Sequence, residues 1–244
     1  TAHQSCLFFG PRYVYFKALS AVKAARMLSS KENPVYPVFW MGSEDHDFEE
    51  INHIHWGSRK VQWVQQQGNA VGRMSTRGID HAINEVVSIA KASLSSEALL
   101  KLQSQLDQWK TKENLTYATL WQRALYQLFQ DDELIVLNAD DHRLKKLFVP
   151  IMLKELRTDS LQASVNTSDK EMFASFSMPI HMRDTNLFYI ENRVRQRVEL
   201  DKNNLSEVEF WCDKCKRHPE IFSPNVALRP IYQQSILPNV SFIG

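Results

Sequence analysis

The sequence predicts an α/β fold built on an open, mostly parallel sheet with helices packed on it. Two short apolar runs of strand character, at 35–41 and 134–137, bracket a long stretch of helical periodicity. An amphipathic pattern precedes the first run and another follows the second, the order expected of strands joined by helical crossovers. The 244 residues, 43% apolar and 23% charged with only 7 Gly and 9 Pro, suit one large globular domain, or one with an insertion, and a sizeable core.

Each element has its own signal. Residues 11–29 open at Gly10-Pro11, where proline suits a first helical turn, and place Val14, Ala18, Leu19, Val22 and Ala25 on one stripe. The run 35–41 is rich in aromatic and branched residues, as a buried strand requires, and 61–64 reads as a second, more exposed strand before a loop from Gly68 to Arg73. From 80 to 130 the spacing is helical, with Leu99, Leu102, Leu106 and Trp109 on one seam and Leu120, Ala124 and Leu128 beside Trp121, Leu125 and Phe129 on another. The run 134–137 is the clearest buried strand, and Asn138-Ala-Asp-Asp141 supplies a turn and a cap for a helix over 142–156 that Pro150 should kink or split. Beyond it come a strand at 186–190, an ambiguous stretch at 193–200, a polar helix at 205–217 and Ser223-Pro-Asn-Val226. The chain starts at Thr1 without Met and ends as an apolar strand at 239–243 meeting a glycine, so it reads as a piece of a longer fold.

Charge narrows the function classes. The formal net charge is +1 and no basic block is long enough to track phosphates, so nucleic acid is not an expected partner. No apolar run approaches the ~18 residues of a membrane helix, and no signal-peptide pattern opens the chain, so a soluble, cytoplasmic protein is expected. Three cysteines, Cys6, Cys212 and Cys215, make a disulfide framework improbable and a reducing compartment the better fit.

The outstanding segment is Ser43-Glu-Asp-His-Asp-Phe-Glu-Glu-Ile-Asn-His53, which places five carboxylates in seven residues directly after a strand. Ligands bind at the carboxyl ends of strands in α/β sheets, and crowded carboxylates favour a cationic partner such as a protonated amine. The plain alternative is a solvated turn opening a helix. Metal binding by Asp45, His46 and His53 matches no established spacing, so no metal is expected. His3 and Gln4 precede the expected helix start at Gly10, whose free N–H groups would attract an anion. Asp140 follows the second strand, while Asp141 reads as a cap. Cys212-Asp-Lys-Cys215 with His218 has half of a zinc spacing and also suits a redox pair, though two ordinary cysteines one turn apart explain it as well. Arg193, Arg195 and Arg197 alternate like a solvated strand face, whereas Arg73 and Arg229 sit in short loops that suit an anion clamp.

The string from Val38 to His53, Val-Phe-Trp-Met-Gly-Ser-Glu-Asp-His-Asp-Phe-Glu-Glu-Ile-Asn-His, closely resembles the hallmark segment of the bacillithiol biosynthesis cysteine-adding enzymes. So do Thr1-Ala-His-Gln4 with Gly10-Pro11, Ala70-Val-Gly-Arg-Met74, Ala139-Asp-Asp141, Asn186-Leu-Phe-Tyr189, and Phe222-Ser-Pro-Asn-Val226 with Leu228-Arg-Pro230, in order along the chain. The resemblance implies a Rossmann-like core akin to class I aminoacyl-tRNA synthetases and nucleotidyl transferases, interrupted by helical connecting insertions. It would divide the chain into core at 1–60, an insertion at 61–115, core at 116–160, a second insertion at 161–220 and truncated core at 221–244. Full-length members are longer, with a coiled coil that makes homodimers. They are assigned to the last step of bacillithiol synthesis, joining L-cysteine to the amino group of glucosaminyl-malate.

Carried onto this chain, Thr1, His3 and Gln4 stand where synthetase-like folds place a phosphate-handling histidine motif. Ala2 replaces the usual glycine, which would matter if that position needed a positive φ or close approach to a ligand. In the implied reaction Glu44, Asp45 or Asp47 holds the substrate amine, His46 accepts its proton, and His3, Gly10 and Arg73 stabilise anionic groups. Gln4, Ser43, Asn52, His53, Asp140, Asn225 and Arg229 complete the expected substrate contacts. How the carboxyl is activated is left open, with ATP a candidate. Two alternatives remain: nucleotidyl or aminoacyl transfer to another amine, and an inactive, truncated fragment.

Overall fold

The computed structural model describes residues 1–66, 70–110, 115–172, 183–191 and 194–244. Gly68 in the expected loop and Arg193 among the alternating arginines lie outside the described residues. The chain forms two compact units, one of Thr1–Ala139 with Val240–Gly244 and one of Asp140–Asn239.

The first unit runs β1 (Ala2–His3), α1 (Tyr13–Leu28), β2 (Val38–Met41), α2 (Phe48–Ile51), β3 (His53–Trp56), β4 (Arg59–Gln62), α3 (Ile79–Lys91), α4 (Ser96–Leu106), α5 (Tyr117–Leu128) and β5 (Ile135–Asn138). Its parallel sheet has the order β1-β2-β5. β2 is central, which is why consecutive residues Phe39, Trp40 and Met41 are all buried instead of alternating. Each such side chain removed from water contributes about 1.5–3 kcal/mol. The α1 stripe is as the spacing predicts, with Val14, Ala18, Val22 and Ala25 buried, and α5 buries Leu120, Trp121, Ala124 and Leu125. β5 is less buried than its sequence suggests, because it borders the sheet among the described residues and leaves Ile135 41% exposed.

Three local expectations change. α1 starts at Tyr13, not at Gly10: Phe8 and Phe9 adopt positive φ (48° and 59°) in a tight turn, and the Gly10 N–H is donated to the Leu7 carbonyl. Instead of one strand at 61–64, β3 and β4 form an antiparallel hairpin around Gly57, at φ 61°, with Val61 buried and Val64 exposed. Residues 239–243 form no strand; the Ile243 carbonyl accepts from Thr1 Oγ1 at 2.7 Å, and Val240 and Phe242 are exposed.

The second unit contains α6 (His142–Arg157), α7 (Ser160–Met172), β6 (Leu187–Glu191), β7 (Val194–Arg197), α8 (Leu205–Arg217), β8 (Phe222–Pro224) and α9 (Arg229–Ile236). Its sheet, in the order β7-β6-β8, is antiparallel throughout, so the mostly parallel expectation holds only in the first unit. A link of two residues between β6 and β7 is too short for a parallel crossover. α6 continues through Pro150 as one helix, because proline removes only one backbone donor while Phe148, Met152 and Leu156 stay buried on the same element. Cys212 and Cys215 are buried on α8, and no grouping among the described residues could hold a metal ion. No helix among the described residues is long and apolar enough to cross a membrane.

Candidate active site at the carboxyl edge of the parallel sheet

Register decides what meets at the site. His3 pairs with Met41 and Met41 with Asn138, so β1, β2 and β5 end at one level and release Gln4, the 42–47 loop and Ala139 at the same edge. The Gly42 N–H donates to the His3 carbonyl at 2.8 Å and the Ala139 N–H to the Met41 carbonyl at 3.1 Å, which extends the ladder past the strands. The Ser43 hydroxyl donates to the Asn138 side-chain oxygen, so both residues tie the loop to the sheet.

The short helical turn Val71–Arg73 docks onto this loop through backbone hydrogen bonds. The Val71 N–H donates to the Asp45 carbonyl at 2.7 Å and the Gly72 N–H to the Ser43 carbonyl at 2.8 Å. A Cβ at Gly72 would lie 2.6 Å from Ser43 Cβ and 2.7 Å from its carbonyl oxygen, so the contact needs glycine. Arg73 is the next residue and is half-buried.

The carboxylates of the segment take different places, and two of them converge on Gln4. Glu44 is buried. Asp47 caps α2, accepting from the Glu50 N–H at 3.3 Å. Asp45 Oδ2 and Glu50 Oε2 both accept from Gln4 Nε2, at 3.0 and 3.1 Å. His46 is exposed, with Nδ1 3.3 Å from Asp45 Oδ1.

Beside this group opens a cavity of about 970 Å³ whose lining includes His3, Gln4, Cys6, Tyr13, Glu50 and His53. His46 is not among its lining residues; His3, His53 and His55 are. The tautomers of His3 and His53 follow from their neighbours. His3 Nδ1 lies 3.1 Å from the Gln4 carbonyl, and His53 Nδ1 lies 3.1 Å from both the Glu49 carbonyl and Asn52 Oδ1. Carbonyl oxygens only accept, so each Nδ1 carries the proton and each Nε2 is an acceptor. Buried Asn52, whose own carbonyl accepts from the Trp63 N–H at 2.7 Å, is thereby the residue that orients His53. Burial first, then the Lys17 charge, lowers the His3 pKa below 6.5 against the opposing Gln4 bond. Burial and Lys60 do the same for His53. Burial, with Glu50 nearby, pushes the Cys6 thiol up to about 12, so Cys6 is present as a thiol and not as a nucleophilic thiolate.

Of the residues singled out in the sequence, the structure gathers His3, Gln4, Gly10 and His53 around the cavity, Asp45 against Gln4, Asn52 under His53, and Ser43 at the loop base. Gly10 contributes no free N–H, and Ala2 lies in an extended strand where alanine is unstrained. Asp140, Asn225 and Arg229 belong to the second unit. There Asp140 pairs with buried Lys145 at 2.5 Å, and Lys145 also donates to the Phe222 carbonyl at 2.6 Å. Asn225 Nδ2 donates to Asn186 Oδ1, and Asn225 Oδ1 accepts from the N–H groups of Ala227 and Leu228, while the Arg229 N–H donates to the Asn225 carbonyl. Sequence reasoning missed Tyr13, Arg12, Cys6 and Glu50 as cavity residues. The available signal for Cys6, Arg12 and Tyr13 was their place just after His3, in the turn after β1 and at the start of α1, and for Glu50 its place in the acidic segment.

A parallel sheet with helices and a cavity at its carboxyl edge is the arrangement of a Rossmann-like domain. Over residues 1–244 the sequence matches the family described as "Bacillithiol biosynthesis BshC, N-terminal Rossmann-like domain", and the chain belongs to that family. Relatives named "Putative cysteine ligase BshC" include one from Cytophaga hutchinsonii, 36% identical across the whole chain, and one from Flavobacterium johnsoniae, 34% identical. A third, from Chlorobaculum tepidum, is 28% identical. The chain spans 46–47% of the length of these three relatives. The family resemblance read from 38–53 is therefore borne out, as is the Rossmann-like core.

Proposed function

We propose that this chain carries the amine-handling site of a ligase that joins L-cysteine to the amino group of glucosaminyl-malate, the last step of bacillithiol synthesis. The observation that carries the reading is the set of proton acceptors around one cavity: Nε2 of His3 and of His53, with Glu50 in the wall and Asp45 behind Gln4. A protonated amine needs carboxylates to hold it and a neutral base to accept its proton before it can attack a carboxyl carbon. Asp45 and Glu50 supply the carboxylates, and His53 is the proposed base, in the place the sequence suggested for His46. The new bond joins the amine nitrogen to the cysteine carboxyl carbon. The carboxyl must arrive activated, because an oxide or hydroxide leaving group is too poor, and ATP enters only as a candidate activator.

The family relationship supports the same reading, and with it a cytoplasmic location, a homodimeric full-length protein and a kinship of the core with class I aminoacyl-tRNA synthetases and nucleotidyl transferases. The test is mass spectrometry for bacillithiol, with the full-length protein given cysteine and glucosaminyl-malate, with and without ATP. Cysteine-dependent product is the expected result. Product with another amine, and none with glucosaminyl-malate, would overturn the assignment in favour of transfer to a different amine, and product with another amino acid but none with cysteine would overturn the choice of carboxyl donor.

A further inference from the structure

His3 is held at both ring nitrogens, and the two contacts differ in kind. On one side Nδ1 donates to the Gln4 carbonyl at 3.1 Å, with Cys6 Sγ 3.6 Å away as a weak second acceptor. On the other, Nε2 lies 2.9 Å from the hydroxyl of Tyr13. The imidazole has one proton in its neutral form and the carbonyl claims it, so the phenol O–H must be the donor to Nε2. The rings meet edge to face, with centroids 5.1 Å apart at 68°. Lys17 reaches the Tyr13 ring at 5.4 Å, and Glu50, His53 and His55 line the same cavity from α2 and β3. Unlike His3, Tyr13 is half exposed, in the first turn of α1, and it also lines the cavity.

We propose that Tyr13 is a positioning residue that holds the His3 ring with Nε2 as an acceptor, and that the substrate group replacing its hydroxyl there is a donor, an amine N–H or a sugar O–H, and not an anionic oxygen. This rests on the amine-handling reading and gives its site a polarity. It also reverses the sequence-based role of His3, which was to stabilise an anion. A neutral Nε2 facing an oxyanion would set two acceptors against each other, whereas an amino sugar reproduces the bond Tyr13 makes.

The test is nitrogen-15 NMR of the imidazole resonances in this chain at pH 8, with His3→Gln used for assignment. The expected result is a protonated Nδ1 and an Nε2 shift typical of a hydrogen-bond acceptor. A protonated Nε2 would overturn the proposal without recourse to any variant. In Tyr13→Phe, a change at an exposed position, the Nε2 resonance should move toward the value of an unbonded ring nitrogen, and an unmoved resonance counts against it. Added glucosamine should shift His3 Nε2 in the unaltered chain, while inorganic sulfate at equal concentration should not. Silence with glucosamine, or a response to sulfate, overturns the donor assignment. None of these signals depends on bacillithiol formation. A failed ligase assay with the NMR pattern intact would retire the ligase reading and leave the donor site standing.

Discussion

The two units handle polar groups in opposite ways. In the first, Gln4, Asp45, Glu50, His3 and His53 stand where three parallel strands end, and their bonds leave acceptor atoms around an open cavity. In the second, polar groups close on one another. Buried Glu155 accepts from both nitrogens of Asn186, Asn186 accepts from Asn225, Asn225 caps the turn into α9, and Lys145 joins Asp140 to the β8 backbone. Polar side chains after a strand therefore mark function only where the strand ends face open space. The same residue types, folded inward, serve as internal ties whose loss costs stability.

The comparison predicts that substitutions in the first unit act on chemistry and those in the second act on folding. The largest effect should come from His53→Asn in the full-length protein, with kcat for amide formation falling about 100-fold or more, as for the loss of a general base. His46→Asn, at an exposed position outside the cavity lining, should stay within a few-fold of the unaltered enzyme. A steady-state comparison in which His46→Asn proves the more damaging would return the base to the acidic loop.

In the second unit, Lys145→Ala should destabilise by about 3–5 kcal/mol in urea unfolding, because it removes one partner of the buried Lys145–Asp140 ion pair, whose carboxylate is 8% exposed. A loss below about 1 kcal/mol would mean that water relieves the carboxylate. Gly72→Ala is expected to cost about 1–3 kcal/mol by forcing Ser43 aside, and to lower activity by shifting the 43–45 backbone. It is the one substitution here that should register in both stability and turnover.

Asn225→Ala should cost about 1–2 kcal/mol through the lost cap and leave glucosamine-induced shifts at His3 unchanged. Altered shifts would restore Asn225 to the substrate-binding set. The smallest effect is on pH dependence. The folded state holds His3 and His53 below 6.5, so the unfolded chain binds more protons just below that value and stability falls as pH drops through it. The fall levels off once pH passes below the folded-state values, and His3→Gln should flatten part of it in a series of unfolding curves.

Much of this was legible in the residues. The uninterrupted apolar run at 38–41 marks a strand covered on both faces, the 14–25 stripe marks one buried helical face, and Asp141 reads as a cap from its place before a helical pattern, where its side chain does accept the Arg143 N–H. The acidic segment was legible as a site, though not its internal assignments. Spacing alone shows five carboxylates together; it does not show that Asp47 turns to cap four residues of helix, that Glu44 is buried, or that His46 faces solvent while His53 lines the cavity. Pro150 misled because a missing donor weakens a helix only when packing does not hold it.

The sequence by itself determined the family, the Rossmann-like character of the core, and the chemistry available after β1 and β2, since apolar periodicity and residue type are local properties of the chain. Only the tertiary structure decided which histidines face the cavity and which nitrogen of each carries a proton. Those depend on carbonyl oxygens and a tyrosine brought within hydrogen-bonding distance by strand register and helix position, and both are set by packing among distant residues.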